Sequence, residues 1–180
     1  MKELIVTLTL FITFCSFSQS NEKLLLAEQF WFKGNAKLHN NDTYGAISEY
    51  SKAIKVYPNY VTAYFDRGVA KASLGDHKGA LIDVNKAIEL KPQIAYYDFR
   101  AQTKLELKDY YGSIADFTKS LEMFCSQRTY YNRGIVKYRL GDSNGACLDM
   151  KKALKSCSIF DESDYRIEKK AIEWMEGICE

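Results

Sequence analysis

An all-α solenoid of stacked helix pairs is the fold that this 180-residue sequence predicts, and three observations predict it. The segment YFDRGVAKASLGDHKGALIDVNKAIELKP, starting at Tyr64, recurs from Tyr97 and from Tyr130 at steps of 33 residues, and an upstream copy starts at Phe30, 34 residues before it. Nine of the ten glycines fall on three shared positions of that repeat: Gly34, Gly68 and Gly134; Gly75 and Gly141; Gly45, Gly79, Gly112 and Gly145. A period of this length marks a stack of small helical units, none of which can bury its apolar face alone. The composition, 47% hydrophobic and 27% charged, supplies a packed core and excludes disorder for the bulk of the chain. Twenty-five Lys and Arg stand against 23 Asp and Glu with the signs mixed, so no basic footprint for nucleic acid or an anionic membrane is present.

In chain order, residues 1–18 read as a secretory signal. Lys2 opens it, Leu4 to Phe14 is apolar apart from threonine, and Ser16 and Ser18 are the small residues before a cut at Gln19. The apolar run is shorter than the roughly 20 residues of a membrane span. The mature chain is therefore expected to be exported, periplasmic or secreted, with no transmembrane span. Residues 19–26 form a lead-in. Four helix pairs then occupy residues 27–60, 61–93, 94–126 and 127–159. In each, a first helix runs to a turn where Asp42, Asp76, Asp109 or Asp142 is placed as N-cap of the second. Small residues recur where the helices must approach: Gly34, Gly68, Ala101 and Gly134; Ala46, Ala80, Ser113 and Ala146; Ala53, Ala87, Ser120 and Ala153. Residues 160–180 carry Ile167, Ala171, Trp174, Met175 and Ile178 at helical spacing, as a capping helix would.

Antiparallel pairing puts residues equidistant from the turn at one level. That sets Arg67 near Asp83, Arg100 near Asp116 and Arg133 near Asp149, with Lys33 and Glu49 in the first unit, as a ladder of partly buried ion pairs. The same levelling orders the cysteines left after export. Cys125 and Cys157 lie sixteen residues on either side of Gly141, and Cys147 and Cys179 sixteen on either side of Ser163. Bridging Cys147 to Cys157 would span about 15 Å along one helix, against a usual limit near 7 Å between bridged Cα atoms. The expected bridges are Cys125 with Cys157 and Cys147 with Cys179, in an export compartment where disulfides persist.

The spacing and the aromatic, Gly, Ala, Ala, Pro series over residues 27–159 resemble the tetratricopeptide repeat family. Departures from its pattern are Arg67, Arg100 and Arg133 where the family more often has Leu, and Lys71, Lys104 and Lys137 where it often has Tyr. The resemblance implies a right-handed superhelix of four units whose first helices line a concave groove for peptides or protein segments. Its groove-facing register falls on Trp31, Asn35, Phe65, Asp98, Gln102, Leu105, Tyr131, Ile135, Tyr138 and Arg139, among others. Of these, Trp31, Asn35, Phe65, Asp98, Tyr131, Tyr138 and Arg139 are the expected partner-binding residues, since aromatic and Arg side chains dominate interface energies. Family members that clamp a chaperone's C-terminal carboxylate use Lys, Asn and Arg at the places held here by Trp31, Asn35, Asp66, Ala95 and Phe99; only Asn35 matches and Asp66 would repel a carboxylate, so no such clamp is expected.

Catalytic and cofactor chemistry has no foothold in the sequence. His39 and His77 sit in different repeats, His77 in a turn where it is expected to be solvated. There is no phosphate-cradling loop, HExxH, nucleophile elbow or CxxC pair. The expectation is a non-enzymatic interaction module of the cell envelope or exterior, without cofactor or metal. Its alternative is a permanent structural subunit or self-associating scaffold.

Overall fold

The computed structural model describes the backbone of residues 2–155 and 162–179, and the side chains of residues 19–154, 169–177 and 179. The described residues are helical, joined by short turns, with no strand among them. They divide into two compact units, Met1–Asp76 and His77–Glu180. The first holds α1 (Lys2–His39), α2 (Thr43–Val56) and α3 (Val61–Ser73). The second holds α4 (His77–Leu90), α5 (Ile94–Glu106), α6 (Tyr110–Met123), α7 (Gln127–Arg139), α8 (Ser143–Lys155) and α9 (Glu162–Ile178). The division falls inside the repeat at 61–93 rather than between repeats.

The first helix is far longer than a single repeat requires. No Pro or Gly interrupts the chain before Gly34, so the backbone runs as one helix from Lys2 through the signal-like segment and the lead-in. The side chains of residues 1–18 lie outside the described set. Each interhelix turn reaches a left-handed residue at one register: Asn41 (φ 59°), Gly75 (φ 83°), Lys108 (φ 61°) and Gly141 (φ 84°). Glycine enters that region without a Cβ penalty and Lys108 does not. One residue later, Asp42, Asp109 and Asp142 accept hydrogen bonds from the amides of Gly45, Gly112 and Gly145 at 2.8–2.9 Å. A Cβ on any of those glycines would lie within 2.2 Å of the capping carboxylate, so cap and glycine belong to one device.

Small residues close the pairs. Ala46, Ala53, Ala80, Ala87, Ser113, Ser120, Ala146 and Ala153 are all at most 1% exposed. In the first unit the apolar clusters are Ala27, Ala53 and Ala63, then Ala46, Tyr50 and Ala70. In the second, Ala101, Phe117 and Val136 form a cluster across α5, α6 and α7. A Cβ on Gly34 would sit 2.4 Å from the ring of buried Tyr50, so only glycine lets α2 approach α1 there. His77 opens α4 half-buried, and its Nδ1 is buried without a hydrogen bond, so it is not the solvated turn residue that its position suggested.

Candidate partner-binding site

The ladder residues tie first helices to second helices and so come before the site. Asp116 is gripped by both arms of Arg100 at 2.6 and 2.9 Å and by Lys104 at 2.7 Å. Asp149 is held in the same way by Arg133 at 2.7 and 2.8 Å and by Lys137 at 2.8 Å. The Arg and Lys departures from the family pattern are therefore coupled, both serving one buried carboxylate. Each guanidinium also reaches back to the preceding second helix, Arg67 to Ser51, Arg100 to Asn85 and Arg133 to Thr118 at 2.7–3.0 Å. Each lies over the tyrosine three residues before it, at 5.5–5.7 Å. Ser51, Asn85 and Thr118 were missed from sequence, although their common register and hydrogen-bonding character were available as a signal. The first repeat departs from the ladder: Glu49 pairs with Lys52 in its own helix, and Lys33 lies over the Phe30 ring at 5.4 Å.

In the second unit, Gln102 and Leu105 of α5 face Tyr131, Asn132 and Ile135 of α7 across a cleft of about 290 Å³ floored by Phe117. Four of those six residues belong to the groove-facing register. Gln102 is exposed, and Tyr131, Asn132 and Ile135 are half-buried. The cleft therefore offers apolar walls and two side-chain amides able to bond a peptide backbone. Asp98, expected on this face, is not available to a partner. It is 9% exposed and accepts from the Thr129 hydroxyl at 3.3–3.4 Å, which ties α5 to α7. Tyr138 is 42% exposed but meets Trp174 of α9 edge-on at 5.0 Å, so the C-terminal helix shares that end of the face. Arg139 is exposed at the end of α7. Arg128, exposed at its start, shares the register.

In the first unit, the Trp31 indole N–H donates to the Asp66 carboxylate at 2.5 Å, joining α1 to α3. Trp31, an expected groove residue, also packs against both apolar clusters and so acts as a structural pin. Asn35 accepts from the Tyr50 hydroxyl at 2.7 Å and is spent on holding α2. Burial pushes the Tyr50 phenol up to about 12, with the nearby Asp66 charge adding to it. Phe65 is half-buried on α3. Burial likewise pushes the Asp66 carboxyl up, with the Trp31 bond opposing. A second cleft, about 300 Å³, lies between α1 and α2 among Lys33, Ala36, Lys37, Asn40, Asp42 and Glu49.

At the far end, Cys147 of α8 is bonded to Cys179, just after α9, with Cα atoms 5.8 Å apart. Cys125 is also disulfide-bonded. Cys157 lies outside the described residues. Among the described residues no three His, Cys, Asp or Glu side chains gather as metal ligands, and no helix is long and apolar enough to cross a membrane.

These features define the class: an all-α helical-repeat fold with a cleft between the successive first helices α5 and α7. Comparison with known proteins agrees. The family model for the tetratricopeptide repeat matches residues 61–94. Over 74 residues the chain is 34% identical to small glutamine-rich tetratricopeptide repeat-containing protein 2 of Mycosarcoma maydis, covering 41% of this chain and 21% of that protein. It is also 34% identical over 67 residues to Hsp70-Hsp90 organizing protein 2 of Arabidopsis thaliana, covering 37% of this chain and 12% of that protein. The chain thus spans about a fifth or less of these two relatives. Among solved structures, a tetratricopeptide repeat protein from Parabacteroides merdae superposes with a TM-score of 0.73 at 20% identity, covering 85% of this chain and 61% of that one. MamA gives 0.70 at 19% identity, covering 84% and 92%. The first tetratricopeptide domain of Spaghetti, bound to an HSP90 peptide, gives 0.63 at 20% identity, covering 66% and 95%. At these identities the likeness is one of fold, that of the tetratricopeptide repeat solenoids.

Proposed function

We propose that the chain is a non-catalytic interaction module of the cell envelope or exterior that holds a peptide or protein segment against its first helices. The observation that carries this reading is the cleft between α5 and α7, where Gln102, Leu105, Tyr131, Asn132 and Ile135 enclose a volume fit for an apolar side chain. The peptide-bound Spaghetti domain supports it by fold. The export part rests on the signal-like residues 1–18, and N-terminal sequencing of exported material beginning at Gln19 would support it. Material retained inside the cell with Met1 in place would overturn it. The reading excludes a chaperone's C-terminal carboxylate, and what supports this is Trp31, bonded to the acidic Asp66, at a position where carboxylate-clamping domains carry Lys.

Affinity capture from a native envelope extract tests the binding reading. Gln102→Glu combined with Ile135→Glu puts two charges into the cleft and should abolish capture while helical circular dichroism is unchanged. Undiminished capture by that variant removes the cleft from the site. A second reading, a permanent subunit of an assembly, draws on Ile82 and Leu148, which share one register and are 70% and 60% exposed. One stoichiometric partner lost on Ile82→Ser with Leu148→Ser would favour it.

A further inference from the structure

The ladder aspartates and Asp66 differ in one respect. Asp116 and Asp149 each have an Arg and a Lys. Asp66, half-buried on the groove side of α3, has one donor, the Trp31 indole, and pairs with no Lys or Arg among the described residues. The neighbouring Arg67 is directed elsewhere, to Ser51 and the Tyr64 ring. Removing a carboxylate from water without a counter-charge is costly, and burial indeed raises its pKa.

The surroundings of Asp66 are of one kind. Tyr60 meets Trp31 edge-on at 6.4 Å, and its phenol is raised by burial first, with the charges of Glu28 and Asp66 adding to it. Glu28 lies one helical turn before Trp31 on α1, in the same groove register. The corner therefore combines the Asp66 carboxylate with an indole and a phenol, with Glu28 one turn away on α1, and no Lys or Arg pairs with Asp66 among the described residues.

We propose that this corner receives an arginine or lysine side chain of the bound segment, with arginine preferred. A guanidinium presents a planar fork to the carboxylate and a flat face to the aromatic rings, so both halves of the site are used at once. An acidic segment is repelled, and an uncharged one leaves Asp66 uncompensated. The proposal rests on the reading that a peptide segment lies along the first helices, and it adds the chemistry of one of that segment's side chains.

The test uses a phage-displayed library of random dodecapeptides, selected on the purified full chain and on its Asp66→Asn and Glu28→Gln variants. Asparagine keeps the shape and the acceptor for Trp31, so the variant should fold, with circular dichroism as the control. The parent should enrich a position rich in Arg and Lys beside apolar positions, and Asp66→Asn should lose the basic position and keep the apolar ones. For a selected peptide, replacing its Arg by citrulline should weaken binding about tenfold on the parent and little on Asp66→Asn. Apolar-only enrichment on the parent, or an undiminished basic preference on Asp66→Asn, overturns this proposal and leaves the groove reading standing. Failure to enrich any peptide on parent or variants overturns the groove reading, and this proposal with it.

Discussion

Ser113 and Ser120 show how much a single atom matters in this stack. Both are fully buried at positions where the other repeats carry Ala, and both hydroxyls are without a hydrogen-bond partner among the described residues. An unsatisfied buried hydroxyl costs roughly 1–3 kcal/mol. Ser120→Ala should therefore raise stability by about 1 kcal/mol, read as a higher urea midpoint at unchanged slope. A fall in midpoint would mean that the hydroxyl is satisfied in solution. Asp149 is the opposite case. Burial alone would raise its pKa, but the Arg133 and Lys137 bonds outweigh it and hold the carboxyl below the ordinary 3.8. A carboxyl lowered on folding contributes stability above its unfolded pKa and loses it as pH falls through the folded value. Asp149→Asn should accordingly melt well below the parent at pH 7, by an amount on the order of 3 kcal/mol in stability, since two cations lose their partner. The gap should close only below about pH 4. A gap that is the same at pH 3 and pH 7 would show that the carboxylate charge is not what holds the rung.

At the scale of elements, the interhelix turns repeat one backbone with different residues. Gly75 and Gly141 occupy the left-handed position without strain, whereas Lys108 holds φ at 61° with a Cβ in place. A non-glycine residue there costs roughly 1–2 kcal/mol, offset in part by the greater freedom that glycine loses on folding. Lys108→Gly is expected to stabilise the α5–α6 pair by about 0.5–1 kcal/mol, and thermal melting checks it. The same substitution just before α7 has no such rationale, because Ser126 lies at φ −136° and caps the helix through Thr129.

For the molecule as a whole, the C-terminal end is where a stack of repeats loses neighbours. Here α9 buries Ala171, sets Trp174 against Tyr138 and is tied to α8 through Cys147 and Cys179. Closing that loop removes freedom from the unfolded chain worth roughly 2–4 kcal/mol. Cys147→Ala should lower the melting temperature and speed amide exchange first in α9 and then in α8. If exchange in α9 matches the parent, packing alone holds the cap.

The chain by itself determined the repeat, the number of helix pairs, the capping Asp42, Asp109 and Asp142 and the level at which Arg133 meets Asp149, because each follows from spacing along a helix of fixed pitch. Register, through the family resemblance, also assigned residues to a groove side. It could not tell which of them are free. Asp98 is spent on Thr129, Asn35 on Tyr50 and Tyr138 in part on Trp174, through contacts made with residues 31, 15 and 36 positions away. Whether a polar or aromatic side chain is satisfied depends on partners brought up by packing, and no local pattern encodes that distance. Only the tertiary structure decided that Gln102 and Tyr131 border a cleft and that Asp66 pairs with no Lys or Arg among the described residues, because both depend on neighbours brought up by packing.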